Sequence, residues 1–425
     1  MGGGAVTREV KHSSFFKNAL WQYGLQFIKH LLPLIMIPYL TRVLEPSGYA
    51  VYAYVIAFMQ FMQIFIDFGF NLSGTKKIAK ADGVEDANKV IGAVTEARLL
   101  LCGIGLLFVL GVSIFLPILH ENLLYTILAY VAVCGRGLAP DFLFQGKEKM
   151  GPITTRYFLS KGTSTALTFV LVHSFADILW VPILDILASA IALTWSMVSA
   201  KRLFGTTISL VPLGVAFDEL KVSGLYCLSN MASSAFNGFT TLIIGVALTE
   251  SADISYWSLA MTSITAVQTL FTPITNSLYP RMVTSGDYSF AVKLGKIALP
   301  VLVVGTIAYV ALADIIVLIL GGESYLPGSF VLVYTSPVLI ISYYGMSFGW
   351  PVLGADGHVK EMTASTVTAG LFSVCSLLCL WGFGLFSLVT VSVVRVLTEA
   401  LMASLRLGGC YKYGLLSGSK VGGND

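Results

Sequence analysis

The 425-residue chain is 56% hydrophobic and only 12% charged, with a formal net charge of +3 and a mean hydropathy of +0.81. A soluble globular chain carries about 25% charged residues, so this deficit, with apolar runs of about 20 residues, excludes an ordinary soluble domain and points to a polytopic α-helical membrane protein. The small net charge gives no reason to expect a nucleic-acid partner. The six cysteines, Cys102, Cys134, Cys227, Cys375, Cys379 and Cys410, lie in or beside apolar segments and form no CxxC pair, so they read as apolar filler rather than metal ligands.

The first apolar stretch starts near Phe15, is long and carries internal charge. It reads as a retained first span, not as the short core of a cleaved signal. In chain order, spans are predicted at 15–41, 49–72, 91–117, 122–145, 153–175 and 178–200. A second set follows at 222–248, 256–280, 293–319, 329–354, 361–383 and 386–408. Gly and Pro mark most of the short turns, as in Glu45-Pro46-Ser47-Gly48 and Gly321-Gly322-Glu323.

Charge placement supports twelve spans with both termini in the cytoplasm. One set of loops and ends takes Arg8, Lys11, Lys76, Lys77, Lys147, Lys149, Arg156, Lys201, Arg202, Lys221, Arg281, Lys293, Lys360, Arg406 and Lys412. The opposite set holds Glu45, Glu121, Asp177, Glu250, Asp253 and Glu323, with Arg42 its one basic residue. The positive-inside rule asks for this asymmetry. The connection 201–221 would then join two six-helix lobes, residues 1–210 and 211–425, related by an axis along the membrane normal.

Within these spans, polar residues recur at helical spacing. Span one carries Asn18, Gln22, Gln26, Lys29 and Pro33; span two carries Gln60, Gln63, Asp67 and Asn71. Span seven carries Tyr226, Asn230, Ser233, Asn237 and Thr241; span eight carries Ser258, Thr262, Thr265, Thr269, Thr272 and Asn276. Amides and charges are costly in hydrocarbon, so such faces point at protein or at a water-filled cavity. Pro33, Pro38, Pro273 and Pro280 interrupt the hydrogen-bond ladders of spans one and eight and bend them, as gating helices require.

Several charges fall inside spans. Lys29, Arg98, Arg136 and Lys161 come from four first-half helices, with Tyr157, Ser164 and Thr168 sharing the Lys161 face. Each intramembrane cation costs roughly 2.5–3.5 kcal/mol even on the lenient insertion scale. Arg136 has Asp141 or Asp67 as possible partners, and Arg98 and Lys161 could instead snorkel to the cytoplasmic interface. Lys29 is too deep to snorkel and has no acid three or four residues away, which favours a cavity-facing role. Arg395 and Glu399 stand four apart on span twelve, either neutralising each other or serving a gate or coupling step. His173 and Asp185 read as interfacial. No Walker GxxxxGK[ST], HExxH or clustered Ser/His/Asp set occurs, so no enzyme, no metal site and no cofactor is expected.

Two stretches carry a resemblance. Leu32 to Tyr49 includes Pro33, Pro38-Tyr39-Leu40-Thr41-Arg42-Val43-Leu44 and Pro46. Ile66 to Ala79 includes Asp67-Phe68-Gly69-Phe70-Asn71-Leu72-Ser73. Together they resemble the start of bacterial O-antigen and polysaccharide flippases of the Wzx type, with Glu45 where that family usually has Gly. The resemblance implies the two-lobe fold of the superfamily that includes multidrug exporters and the lipid II flippase, with spans one, two, seven and eight lining a central cavity. It further implies a bacterial inner-membrane protein that turns an undecaprenyl-diphosphate-linked oligosaccharide from the cytoplasmic to the periplasmic leaflet by alternating access. A coupling proton or sodium ion, membrane lipid and polysaccharide-assembly membrane proteins would be its partners. The four cations would meet the diphosphate, the amide and hydroxyl stripes the sugars, and Arg42, Asp67, Arg395 and Glu399 are candidates for gating or coupling. Two other classes remain open. A cation-coupled multidrug antiporter of the same fold would depend on Asp67 or Glu399. A polysaccharide polymerase would need a large periplasmic loop, which this chain lacks.

Overall fold

The computed structural model describes the backbone of residues 3–209, 211–248 and 251–416; the side chains of 3–20 and of most positions from 225 to 238 lie outside that description. Asn18, Gln22, His30, Tyr226, Asn230, Ser233 and Asn237 of the expected stripes therefore fall outside the described side chains. Helices make up the regular structure, and no strand occurs among the described residues.

The first helix, α1, runs Gly3–Asp67, 65 residues. At 1.5 Å per residue an unbroken helix of that size would be about 100 Å long, some three times the hydrocarbon core. It is two helices in one run, broken at Glu45, whose φ of 57° and ψ of 173° are not helical. A residue with a Cβ is strained there. The turn between the first two expected spans thus needs the backbone freedom that Gly would supply, at the position where this chain carries Glu.

A second break follows at Phe68 (φ 42°) and Gly69 (φ 80°), after which α2 runs Phe70–Lys80. The next helices are α3 (Val84–Phe115), the single turn α4 (Pro117–Glu121) and α5 (Leu123–Gly137). The chain then breaks at Pro140 and restarts as α6 (Asp141–Gly146). Helices α7 (Gly151–Leu171) and α8 (Trp180–Phe204) form an antiparallel hairpin. Helix α8 ends on Gly205 in the left-handed conformation (φ 67°), with Lys201 and Arg202 in its last turn, where cations favour the helix dipole. Small residues let these helices approach. A Cβ on Gly135 of α5 would sit 2.4 Å from Ser189 Oγ of α8, and one on Gly74 of α2 would sit 2.9 Å from the Phe142 ring.

Helix α9 (Leu213–Ala247) is followed by α10 (Ser251–Thr269) and α11 (Thr272–Ser285). Pro273 stands in the first turn of α11, so the expected span 256–280 is split where the proline removes a donor. After α12 (Ser289–Ala311) and α13 (Ala313–Leu320) come a short 3₁₀ turn (Glu323–Gly328), α14 (Ser329–Thr335), α15 (Pro337–Phe348), a π-helical turn (Gly349–Gly354), α16 (Val359–Gly382) and α17 (Leu388–Lys412).

The chain divides into two compact units. The first takes in Met1–Leu44 and Val55–Met231, the second Glu45–Tyr54 and Ala232–Asp425. The core of the first unit gathers Phe70, Ile78, Val94, Leu101, Phe142 and Phe144. In the second unit the α1 segment Glu45–Tyr54 is held by aromatic contacts and hydrogen bonds. Tyr49 meets Tyr325 edge-on at 6.1 Å. Ser255 Oγ donates to the Pro46 carbonyl at 2.5 Å. Gly245 leaves the room that the Tyr54 ring occupies. Helix α17 packs against α15 and α16. Its Arg406 is turned inward, donating to the Gly345 carbonyl at 2.7 Å and to Thr366 at 2.9 Å. About three turns earlier, Arg395 donates to Glu399 at 2.8 Å, both side chains nearly covered. The i,i+4 pair that the sequence offered is formed.

By length and apolarity, seven helices among the described residues qualify as membrane spans, or eight if the bent pair Glu323–Thr335 and Pro337–Gly354 counts as one. The protein is a multi-pass membrane protein. Helix α7 is not among the seven; its Thr154, Arg156, Ser160, Ser164, Thr165 and Thr168 are buried.

Two outcomes follow for stability, read by thermal unfolding of the purified protein. Glu45→Gly should stabilise by about 1 kcal/mol, the strain of a non-glycine residue there less the entropy that glycine brings to the unfolded chain. Glu399→Ala should cost roughly 3–5 kcal/mol by leaving Arg395 buried without its carboxylate, while Arg395→Met with Glu399→Leu recovers most of that loss.

Candidate functional site

Two helix breaks in the first unit bring polar groups together. Because α1 stops at Asp67 and α2 starts at Phe70, Asp67 and Asn71 end up on either side of one interruption. Because α5 stops at Gly137 and α6 starts at Asp141, Asp141 and the Ala139 carbonyl flank another. These residues open onto a cavity of about 220 Å³, completed by α3, α7 and α8.

Arg98 of α3 lies behind the two breaks, its side chain only 2% exposed. Its guanidinium donates to the Ala139 carbonyl at 3.0 Å and to Asn71 Oδ1 at 3.4 Å. It stands 3.5 Å from the Asp67 carboxylate. The rings of Phe70 and Phe142 cover it at 5.7 and 5.6 Å. Arg98 therefore does not snorkel to an interface; it is fully enclosed.

Asp141, first residue of α6, forms a two-pronged pair with Arg156 of α7 at 2.5 and 3.0 Å, and Arg156 also donates to Ser196 of α8 at 2.9 Å. Bidentate geometry of this kind is the strong form of a charge-assisted bond. Four and five residues further along α7, Ser160 and Lys161 continue the same lining. Lys161 donates to Asp185 of α8 at 2.7 Å, and Ser164 adds a bond to the same oxygen at 3.3 Å. Lys161 is thus fixed across the α7–α8 hairpin and is not an interfacial lysine.

The two remaining cations are held loosely. Arg136 is 43% exposed and reaches Asp185 only at 4.0 Å and Gln63 Oε1 only at 3.5 Å. Its partner is neither of the acids that its sequence position offered, because Asp67 and Asp141 are occupied by Arg98 and Arg156. Lys29 Nζ lies 5.6 Å from the centre of the Tyr157 ring, and no ion pair to Lys29 occurs among the described residues. The cavity wall carries five cations (Lys29, Arg98, Arg136, Arg156, Lys161) against three acids (Asp67, Asp141, Asp185). The excess positive charge resides on Lys29 and Arg136.

All four expected cations thus converge on one cavity, together with Gln63, Asp67 and Asn71. Gln26 and Gln60 are exposed elsewhere on α1 and do not line it. Arg42 is exposed on α1 just before the Glu45 break and donates to the Pro38 carbonyl at 2.6 Å. In the second unit Thr265 and Asn276 are exposed. Thr262, Thr265 and Thr269 give their hydroxyl protons to carbonyls four residues back on α10, so that stripe satisfies itself within the helix.

Sequence reasoning placed two contributors elsewhere. Arg156 counted among the loop charges, yet it is buried at one end of the row that includes Ser160 and Ser164. Asp185 was read as interfacial, yet its side chain is 13% exposed and faces Lys161. The available signal was an acid and a lysine at similar depth on consecutive antiparallel helices, where either alone would be costly in lipid.

The chain matches the family described as polysaccharide biosynthesis protein over residues 15–285. It is 26% identical over 411 residues to a proposed O-antigen transporter of Escherichia coli (strain K12), covering 93% of this chain and 96% of the relative. A similarly named protein of Shigella dysenteriae is 27% identical over 279 residues, 65% of this chain and 70% of the relative. Among solved structures, the lipid II flippase MurJ in an inward closed conformation superposes with a TM-score of 0.74 at 12% identity, covering 92% of this chain and 87% of the other. An inward-facing multidrug resistance transporter of the MATE family gives 0.70 at 16% identity, covering 94% and 99%. The fold is therefore that of the MurJ and MATE transporters, and the chain belongs to the polysaccharide biosynthesis protein family, as its N-terminal motifs indicated.

Proposed function

We propose that this protein is a flippase, not an enzyme, that turns an oligosaccharide carried on undecaprenyl diphosphate from the cytoplasmic to the periplasmic leaflet of a bacterial inner membrane. The observation that carries this reading is the cavity in the first unit, where two cations remain only loosely engaged after three ion pairs have formed. A diphosphate is the part of a lipid-linked sugar that cannot cross hydrocarbon unaided, and it needs charge-assisted donors. Lys29 and Arg136 supply them. Gln63, Asn71, Ser160 and Ser189 line the same wall and suit sugar hydroxyls. The O-antigen transporter names of the two relatives and the lipid II flippase fold support a cargo of this class.

In this reading the chain has twelve spans, with both termini in the cytoplasm. The lobes 1–210 and 211–425 rock about the cargo in alternating access while the lipid tail stays in the bilayer. Arg42, Asp67, Arg395 and Glu399 are the candidates for gating or coupling, and a proton gradient, a sodium gradient or the membrane potential supplies the energy.

The cation-coupled antiporter is the second reading. It needs a carboxylate free to take a cation, whereas each acid of the cavity already has a cation beside it: Asp67 with Arg98, Asp141 with Arg156 and Asp185 with Lys161. That arrangement favours an anionic cargo.

Liposomes holding the purified protein and a defined lipid-linked oligosaccharide test the reading directly. Translocation should depend on the protein and accelerate with an imposed proton or sodium gradient; export of a cationic dye with no movement of the oligosaccharide overturns it. In cells lacking the corresponding flippase, Lys29→Ala and Arg136→Ala should each lower surface polysaccharide at least tenfold at unchanged membrane expression. Each removes a charge-assisted contact worth roughly 1.5–3 kcal/mol. Normal polysaccharide from both variants would remove the cavity from the mechanism.

A further inference from the structure

Arg98 is the least exposed of the five cavity cations, and its contacts are the wrong ones for a ligand-binding group. Its guanidinium is spent on the Ala139 carbonyl at 3.0 Å, Asn71 at 3.4 Å and Asp67 at 3.5 Å. These partners belong to two different helix breaks, α1 to α2 and α5 to α6. The rings of Phe70 and Phe142 sandwich the same group, so it cannot swing toward the cavity without unpacking both breaks.

Asp67 is placed differently. Its side chain is 31% exposed and it lines the cavity with Lys29 and Asp141; both acids act on Lys29 through space, Asp141 the more strongly. An acid at the end of a helix, next to two left-handed residues, has room to move. Of the two loosely held cations on the same wall, Arg136 already leans on Asp185 at 4.0 Å, whereas Lys29 has no ion pair among the described residues. In a site of low dielectric such a pair would form strongly and would cancel the charge that Lys29 offers.

We propose that Arg98 is a positioning residue that tethers Asp67 to the helix break, and by doing so keeps Lys29 unpaired and available to an anion. That an anion is the cargo rests on the function proposed above; the tether itself does not. Arg156 holds Asp141 by the same logic on the opposite wall, with the closer bidentate geometry.

The experiment uses the full-length purified protein and an amine-acylating reagent, with labelling of individual lysines followed by mass spectrometry. Lys221, 80% exposed, is the internal reference. In the wild type Lys29 should label readily. In Arg98→Gln its labelling should slow at least tenfold relative to Lys221, because the released Asp67 pairs with it. In the double variant Arg98→Gln/Asp67→Asn, labelling should return to within about twofold of wild type. If Arg98→Gln does not fold, Arg98→Met, which fills the space between the Phe70 and Phe142 rings without a charge, should slow Lys29 in the same way. A purely structural arginine predicts no rescue by Asp67→Asn. Lys29 labelling at the wild-type rate in the single variant, or persistent slowing in the double, overturns the proposal. Inorganic pyrophosphate added to the wild type tests the other reading separately. Protection of Lys29 supports the anionic cargo, and its absence counts against that cargo while leaving the Arg98 result to stand.

Discussion

A charge surrounded by hydrocarbon must find a partner or a cavity, and the first unit is organised by that requirement. Its helices carry five cations and three acids within one wall. None could be left facing lipid without a cost of several kcal/mol on the scale of the whole protein's stability. The result is a division of labour among residues of the same type. Arg98, Arg156 and Lys161 stand beside carboxylates and hold helices together. Lys29 and Arg136 are left with long or aromatic contacts, which is the state in which a cation can still take a ligand.

The helix breaks are the counterpart of this arrangement. An unbroken helix satisfies its own backbone and presents side chains only sideways. Where α1 gives way to α2 and α5 gives way to α6, the Ala139 carbonyl accepts from both Asp141 N–H and Arg98, and Asp67, Asn71 and Asp141 line the same space. Irregular backbone is tolerated at membrane depth when it is covered by protein or lines a cavity. Here Arg98 covers both breaks at once. The same device recurs in the second unit, where Arg406 donates to the Gly345 carbonyl just before the π-helical turn at 349–354. Arginine suits this role because its planar fork presents several donors in fixed directions.

Much of this was legible in order of appearance along the chain. Long apolar segments, the alternation of basic and acidic loops and the intramembrane positions of Lys29, Arg98, Arg136 and Lys161 are one-dimensional facts; the breaks that split the expected spans 49–72, 122–145 and 256–280, and the count of seven or eight apolar helices among the described residues where twelve spans were expected, were not legible. The i,i+4 pair Arg395–Glu399 was readable because helical spacing alone brings those groups together. The partners of Arg136, Arg156 and Asp185 were not readable, since they depend on which helix faces which. Nor were the hydrogen bonds of the α10 hydroxyls to carbonyls of their own helix.

What the sequence by itself determined is therefore the membrane class, the family, the placement of helices and the presence of a cationic interior, because solvent transfer energies and local motifs act residue by residue. The tertiary structure alone decided which cations are neutralised and which are held loosely. That outcome turns on distances of 2.5 to 4.0 Å between α1, α3, α5, α6, α7 and α8, and Coulomb energies at such separations depend on packing that no linear spacing encodes.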